Sequence, residues 1–297
     1  MPEFPAAEFF GFPIDDTSDV ARHFRDNGLC PFLDAPCVKE SEGIRLGTCS
    51  MRRAEGDPIV ICPKRFWEGE ELPAQIAREA EPPHALLVVP EVPLGRRLGR
   101  LDWALARLDG AGDPTGTIYG VEAQAVDTTG SLRPWVEAYF AGRDWRPIRH
   151  GHGINWRNVY KRIVPQILAK GRLFEAQHSR LYVVMQDLLV DYLKDDMRIE
   201  AARPGEDANV IFYAYRLAPV TGGGYELRLA ERFKTTLRHI ERAMGDVAGL
   251  PSREQLAAAV KTRINETGIH LAPGGVPATG AAPTEHEPVV EGQEGEA

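Results

Sequence analysis

Several features that would each fix a class are missing from this sequence. No uninterrupted apolar run reaches about eighteen residues, so no helix is expected to cross a bilayer. The opening segment, MPEFPAAEFFGFPIDD, has no basic stretch ahead of an apolar one, which speaks against a secretory signal and for the cytoplasm. Internal repeats are absent. The TGGG at 221–224 lacks a following Lys-Ser/Thr, so it reads as a hairpin turn and not as a phosphate loop. Basic charge is in deficit, with 35 Lys plus Arg against 43 Asp plus Glu and a net charge of -8. Cysteine is scarce at four residues, and no two of them form a Cys-x-x-Cys pair.

What is present is the material of a folded protein. With 297 residues, 43% hydrophobic and 26% charged, the chain can bury a sizeable core as one large domain or two ordinary ones. Its acidity is uneven. Five Glu and no Lys or Arg lie in Leu271–Ala297, a stretch rich in Gly, Pro, Ala and Thr that is expected to be disordered; without it the net charge is -3. From Arg133 to Arg180 ten Lys or Arg stand against three acids. Such a stretch can hold a polyanion, or it is simply a solvated basic surface.

All four cysteines fall between Cys30 and Cys62, separated by six, eleven and twelve residues. In a reducing cytosol clustered thiols point to a metal site rather than to disulfides, with unrelated buried thiols as the alternative. Cys30 and Cys62 each precede a proline, and Gly28, Gly43 and Gly47 permit the turns that gathering Cys30, Cys37, Cys49 and Cys62 requires. Spacing does not choose iron over zinc. Residues 1–66 are read as a small four-cysteine metal-binding module, 67–270 as the main domain and 271–297 as the acidic tail.

In the main domain Trp67–Ala80 has helical spacing, and Ala85–Pro90 reads as a short buried strand. Leu101–Leu108 alternates, with Leu101, Trp103 and Leu105 on one face and Asp102 on the other. Ile118–Val126 sets Val121, Ala123 and Ala125 against Glu122 and Gln124. The intervening AGDPTG is a turn, so the two strands are expected to pair as a hairpin. Asn155–Lys170 reads as an amphipathic helix, interrupted by Pro165 and ended by Gly171. Leu181–Met185 is a strand leading into a helix through Leu193, and Val210–Leu217 and Tyr225–Leu229 are strands. Helices are expected at Glu231–Met244 and Arg253–Ile264, the latter opened by a Ser252/Gln255 capping box. The pattern is α/β: a mixed sheet with flanking helices.

Asp102 and Glu122 bring two carboxylates to one face of adjacent strands, with Gln124 two residues on. Such hard-oxygen ligands suit Mg²⁺, which polarises a phosphate and activates a water for in-line attack. Acids on the solvent face of an ordinary hairpin are the plainer explanation. Glu122, however, stands in an otherwise apolar strand, where an unpaired charge is costly. Downstream, Asn155, Arg157, Asn158, Lys161 and Arg162 fall at helical spacings that let several share a face. Arg and Asn read base edges and Lys contacts phosphate; ordinary solvation is again the alternative. His150 and His152 are expected to be simply exposed, and Asp127 to cap a turn before Thr128.

Cys-Pro-Phe at 30–32, Cys-Val-Lys at 37–39, Gly-x-Cys at 47–49 and Ile-Cys-Pro at 61–63 resemble the N-terminal metal module of NotI-type type II restriction endonucleases. YGVEAQAVDTTGS at 119–131 resembles that family's Tyr-Gly-Val-x-Glu-x-Gln-x-x-Asp segment, with one residue of offset before the Glu. NVYKR at 158–162 resembles its Asn-Val-Phe-Lys-Arg, and the similarity runs in patches from Phe9 to Ile264. The resemblance implies a PD-(D/E)xK nuclease core in which Gln124 replaces the usual Lys. Asp102, Glu122 and the Ala123 carbonyl would hold a catalytic Mg²⁺, and Gln124, which cannot titrate, would orient water. One structural iron would sit on the four cysteines, zinc being the alternative.

The same resemblance implies a homodimer cutting double-stranded DNA at a GC-rich, GGCC-centred palindrome such as CGGCCG. It also implies a prokaryotic cytoplasm in which a cognate methyltransferase protects that site without needing to bind this chain. A DNA-binding regulator without chemistry competes with this expectation, as does a repair or recombination nuclease built on the same core. Carboxylates facing a polyphosphate repel it unless a cation intervenes, which counts against the pure binder.

Overall fold

The computed structural model describes residues 4–53, 55–68, 71–80, 86–149, 153–155, 159–246 and 251–267. By contacts the chain divides into Met1–Gly245 and Asp246–Ala297. The first unit begins with β1 (Ala6–Phe9), β2 (Phe12–Pro13), α1 (Asp19–Asp26), the two-residue strands β3 (Leu29–Cys30), β4 (Ala35–Pro36), β5 (Glu40–Ser41) and β6 (Ile44–Arg45), then β7 (Thr48–Met51) and β8 (Ile59–Val60). A 3₁₀ turn, Pro63–Trp67, leads to α2 (Glu71–Ala80), β9 (Leu87–Pro93), β10 (Arg100–Leu108), β11 (Pro114–Gln124), β12 (Thr128–Thr129), α3 (Arg133–Phe140) and β13 (Gly153–Ile154). A π-helical turn, Val159–Ile163, runs into α4 (Val164–Glu175). Then come β14 (Leu181–Gln186), α5 (Asp187–Asp195), β15 (Val210–Pro219), β16 (Tyr225–Thr235) and α6 (Leu237–Gly245).

The main sheet has the order β16-β15-β14-β11-β10-β9, parallel at β11–β14 and β14–β15 and antiparallel elsewhere. Every residue of β14 is buried, as a strand covered on both faces must be. Leu181, Val183 and Met185 join one apolar cluster with Val164, Ile167 and Phe174 of α4, Leu189 of α5 and Leu237 of α6. Tyr182 and Val184 join the other with Leu72 and Ile76 of α2. Helices thus cover both faces, the layering that an alternating central strand requires. The small sheet β2-β1-β7-β8 shares the first cluster through Phe9, Met51 and Ile59, so it and the main sheet bury one core together. Gln186 fastens them further, accepting from the Val60 N–H at 2.7 Å and donating to the Pro58 carbonyl at 2.6 Å.

Several expectations need correction. The hairpin of β10 and β11 forms as expected, but Leu101 packs in the first cluster while Trp103 and Leu105 pack in the second. The strand expected to be buried at Ala85–Pro90 is the edge strand β9, and this position is what tolerates Pro90 and Pro93. Gly171 does not end its helix. α4 runs through it to Glu175, because a Cβ there would lie 2.6 Å from Leu237 Cδ2: the glycine lets α6 approach. Residues expected to start a helix at Glu231 instead prolong β16 to Thr235. A bulge opposite Ala214–Tyr215 switches that strand's apolar side chains from one cluster (Leu227, Leu229) to the other (Phe233), which disguises the alternation.

In the second unit, the helix α7 (Arg253–Thr267) opens on the expected capping box: Gln255 N–H donates to Ser252 Oγ at 3.2 Å and Ser252 N–H to Gln255 Oε1 at 2.8 Å. The acidic tail from residue 271 lies outside the described residues.

Candidate active site

Trp103 pairs with Val121 across β10 and β11, and continuing that register sets Asp102 beside Glu122 on one face. The backbone of one strand holds the carboxylate of the other: the Ala123 N–H donates to Asp102 Oδ2 at 2.8 Å, while the nearby Asp102 N–H favours the charged form of Glu122. Above them passes α4, whose buried stripe is Val164, Ile167, Lys170, Gly171 and Phe174. Lys170 therefore projects into the core. Its ammonium donates to Glu122 Oε1 at 2.5 Å and to the Arg100 carbonyl at 2.7 Å. Glu122 is 3% exposed and Lys170 6%.

Burial dominates the electrostatics. It pushes the Glu122 carboxyl up from 4.5 to about 7, with the repulsion of Asp102 adding to it, although the Lys170 ammonium pulls the other way. Burial also raises Asp102 above the usual carboxylate range, against the Ala123 N–H and the charges of Lys64 and Lys170. Lys64 is itself engaged, pairing with Glu91 and lying 4.3 Å from the centre of the Trp67 ring. Glu91 also faces Arg100, at 3.6 Å, and these cations hold its carboxyl below the ordinary glutamate value.

Beyond Glu122 the end of β11 opens into a cleft of about 150 Å³ lined by Ala123, Gln124, Asp127, Arg162 and Gln166, among others. Arg162 donates to Asp127 at 2.7 Å across it. Asp127 thus acts in this ion pair, and its carbonyl accepts from the Asn155 N–H at 2.9 Å. The proposed DNA-reading residues do not share one helix. Asn155 follows β13, Lys161 and Arg162 lie in the π-helical turn, and Arg157 and Asn158, like His150 and His152, fall outside the described residues. Lys161 and Arg162 are exposed.

The four cysteines are free thiols in one neighbourhood, since Cys30 interacts electrostatically with Cys37 and Cys62, and Cys49 with Cys62 and Cys30. Cys30 and Cys62 each open a turn, with Leu33 N–H returning to the Cys30 carbonyl and Arg65 N–H to that of Cys62. The nearby N–H groups of Phe32 and Leu33 favour the charged form of Cys30, and that of Lys64 the charged form of Cys62. Burial raises the thiols of Cys30, Cys49 and Cys62, the second well above its usual value. Lys39 sits among them, its ammonium donating to the Ile61 carbonyl at 3.0 Å. The donor chemistry suits a soft metal ion. Yet among the described residues no three His, Cys, Asp or Glu side chains close into a ligand group.

No family model matches this chain, and no curated protein matches it. The reading of the site therefore rests on its own residues. Sequence reasoning found both carboxylates and missed Lys170, counting it only as part of a basic stretch. The signal was there: its spacing from Ile163, Val164, Ile167 and Phe174 puts a lysine on an apolar stripe. Nothing comparable pointed to Glu91, whose approach to the site depends on the pairing of β9 with β10.

Proposed function

We propose that the protein is a Mg²⁺-dependent type II restriction endonuclease with a PD-(D/E)xK-type core, related to the NotI-type enzymes. The observation that carries this reading is the Asp102–Glu122 carboxylate pair on adjacent strands, gathered under the buried ammonium of Lys170. Two acids drawn together on adjacent strands, one of them buried, are expensive and need a reason, and a hard divalent cation supplies one. Mg²⁺ keeps several waters and takes one or two carboxylates, so two acids with the Ala123 carbonyl suffice without a third acidic ligand. When bound, the ion would supply charge for the phosphate and an activated water.

The chain's own residues do the rest. Asp102 and Glu122 hold the cation, Ala123 adds its carbonyl, and Gln124 in the cleft orients water through an amide that neither gains nor loses a proton. Lys161 and Arg162 face double-stranded DNA from the turn ahead of α4, and Asn155 joins them; Arg157 and Asn158 share this role by their place in the sequence. Arg162 must trade Asp127 for phosphate as DNA arrives. The four cysteines form a structural site for one iron, or zinc, once their sulfurs draw together. A twofold GGCC-centred target such as CGGCCG calls for a homodimer, a cognate methyltransferase acting on the same site, and a prokaryotic cytoplasm.

Glu122→Ala tests the assignment. Cleavage of DNA with Mg²⁺ should disappear while salt-sensitive binding in Ca²⁺ persists; undiminished cleavage by this variant would falsify it. Specific binding without cleavage by the unaltered protein would favour the regulator.

A further inference from the structure

We propose that Lys170 delivers, from helix α4, the ammonium group that Glu122-x-Gln124 lacks on its own strand; the inference rests on the nuclease reading above. Lys170 is buried at a position whose helical neighbours, Val164, Ile167 and Phe174, are apolar, so a leucine or methionine would fill the site at less desolvation cost. What the lysine gains instead is two directed bonds, to Glu122 Oε1 and to the Arg100 carbonyl. Arg100 lies two residues before Asp102 on β10, at the strand position that continued register sets against Gln124. The ammonium therefore ties the acid pair to the backbone of β10 two residues before Asp102.

Among the described residues Lys64 pairs with Glu91 and Arg162 with Asp127, while Lys170 is the ammonium hydrogen-bonded to the acid pair. It is a positioning residue. Through Glu122 it fixes the carboxylate in one rotamer and sets a positive charge beside the place where phosphate charge develops, which a neutral Gln124 cannot do.

The test moves the charge. Lys170→Met, Gln124→Lys and the double variant are compared with the unaltered chain in single-turnover cleavage with Mg²⁺, in DNA affinity with Ca²⁺, and in thermal melting. Lys170→Met should cut about 100-fold more slowly with DNA affinity held within about threefold. The double variant should recover at least about tenfold of that loss, because Gln124→Lys restores an ammonium to the same acid pair from the strand. A residue needed only for packing is not rescued from another element, so a folded double variant no faster than Lys170→Met overturns the inference. So does Lys170→Met cutting at the unaltered rate. Where Lys170→Met does not fold, Lys170→Gln takes its place in both comparisons. Failure of the unaltered chain to cut any DNA is a separate result: it removes the nuclease reading and this inference with it.

Discussion

Replacing Lys170 with Met removes the ammonium from a glutamate that is 3% exposed. Truncating one partner of such a pair strands a charge in the core, at a cost of about 3–5 kcal/mol, and here also orphans the Arg100 carbonyl. In a unit of this size about 4 kcal/mol lowers the melting temperature by roughly 10 °C. Glu122→Gln keeps an acceptor at that position while removing its charge. The double variant Glu122→Gln/Lys170→Met should therefore lie within about 2 kcal/mol of the unaltered chain, since exchanging both members of a buried pair is far cheaper than removing one. The loss in Lys170→Met also depends on pH. Below about 7 Glu122 already carries a proton in the intact pair, so the variant should lose less at pH 5 than at pH 8. Urea unfolding of the four proteins at both pH values measures the coupling directly. A loss below about 1 kcal/mol in Lys170→Met, or one of equal size at the two pH values, would refute the reasoning.

Three further outcomes follow from the same structure. Glu122 binds its proton more tightly in the folded chain (about 7) than at the ordinary 4.5, so its contribution favours folding at low pH and is lost as pH rises from 4.5 to 7; metal-free protein should lose up to about 3 kcal/mol across that window, and Glu122→Gln should flatten the slope. In β11, Gly120→Ala would set a Cβ 2.2 Å from Phe174 Cε2, so calorimetry should show a destabilisation of about 1–3 kcal/mol; an unchanged melting temperature contradicts the close packing of α4 on this strand. Purified protein should contain one iron or zinc per chain and lose it on Cys49→Ser, whereas four titratable thiols in metal-free, fully folded protein exclude the structural metal.

The parts of the fold legible in the sequence are those with a single period. β14 and β15 read as short apolar runs and β10 and β11 as strands whose acids face one way, and the Asp102–Glu122 pair followed from these two strands joined by a tight turn. Legibility fails where tertiary contact overrides a local rule. Gly171 looks like a stop because the partner that requires it, Leu237, is far along the chain. β16 hides its second half because a bulge reverses which face is apolar. Pro165 stands where the π-helical turn Val159–Ile163 gives way to α4, so the interruption that it marks in the sequence is a change of helix type. Lys170 hid in a different way: charge counting along the chain ignores direction, and only the helical register shows that this lysine points inward.

The central claim is that this acid pair cuts DNA, and digestion tests it most directly. Purified protein is incubated with a large, fully sequenced, unmethylated DNA and Mg²⁺, and the ends are sequenced. Discrete fragments whose ends share a GGCC-centred palindrome, lost with Glu122→Ala, are the predicted result. Intact DNA held in a salt-sensitive complex contradicts the account and makes the chain a binder whose buried carboxylates do no chemistry.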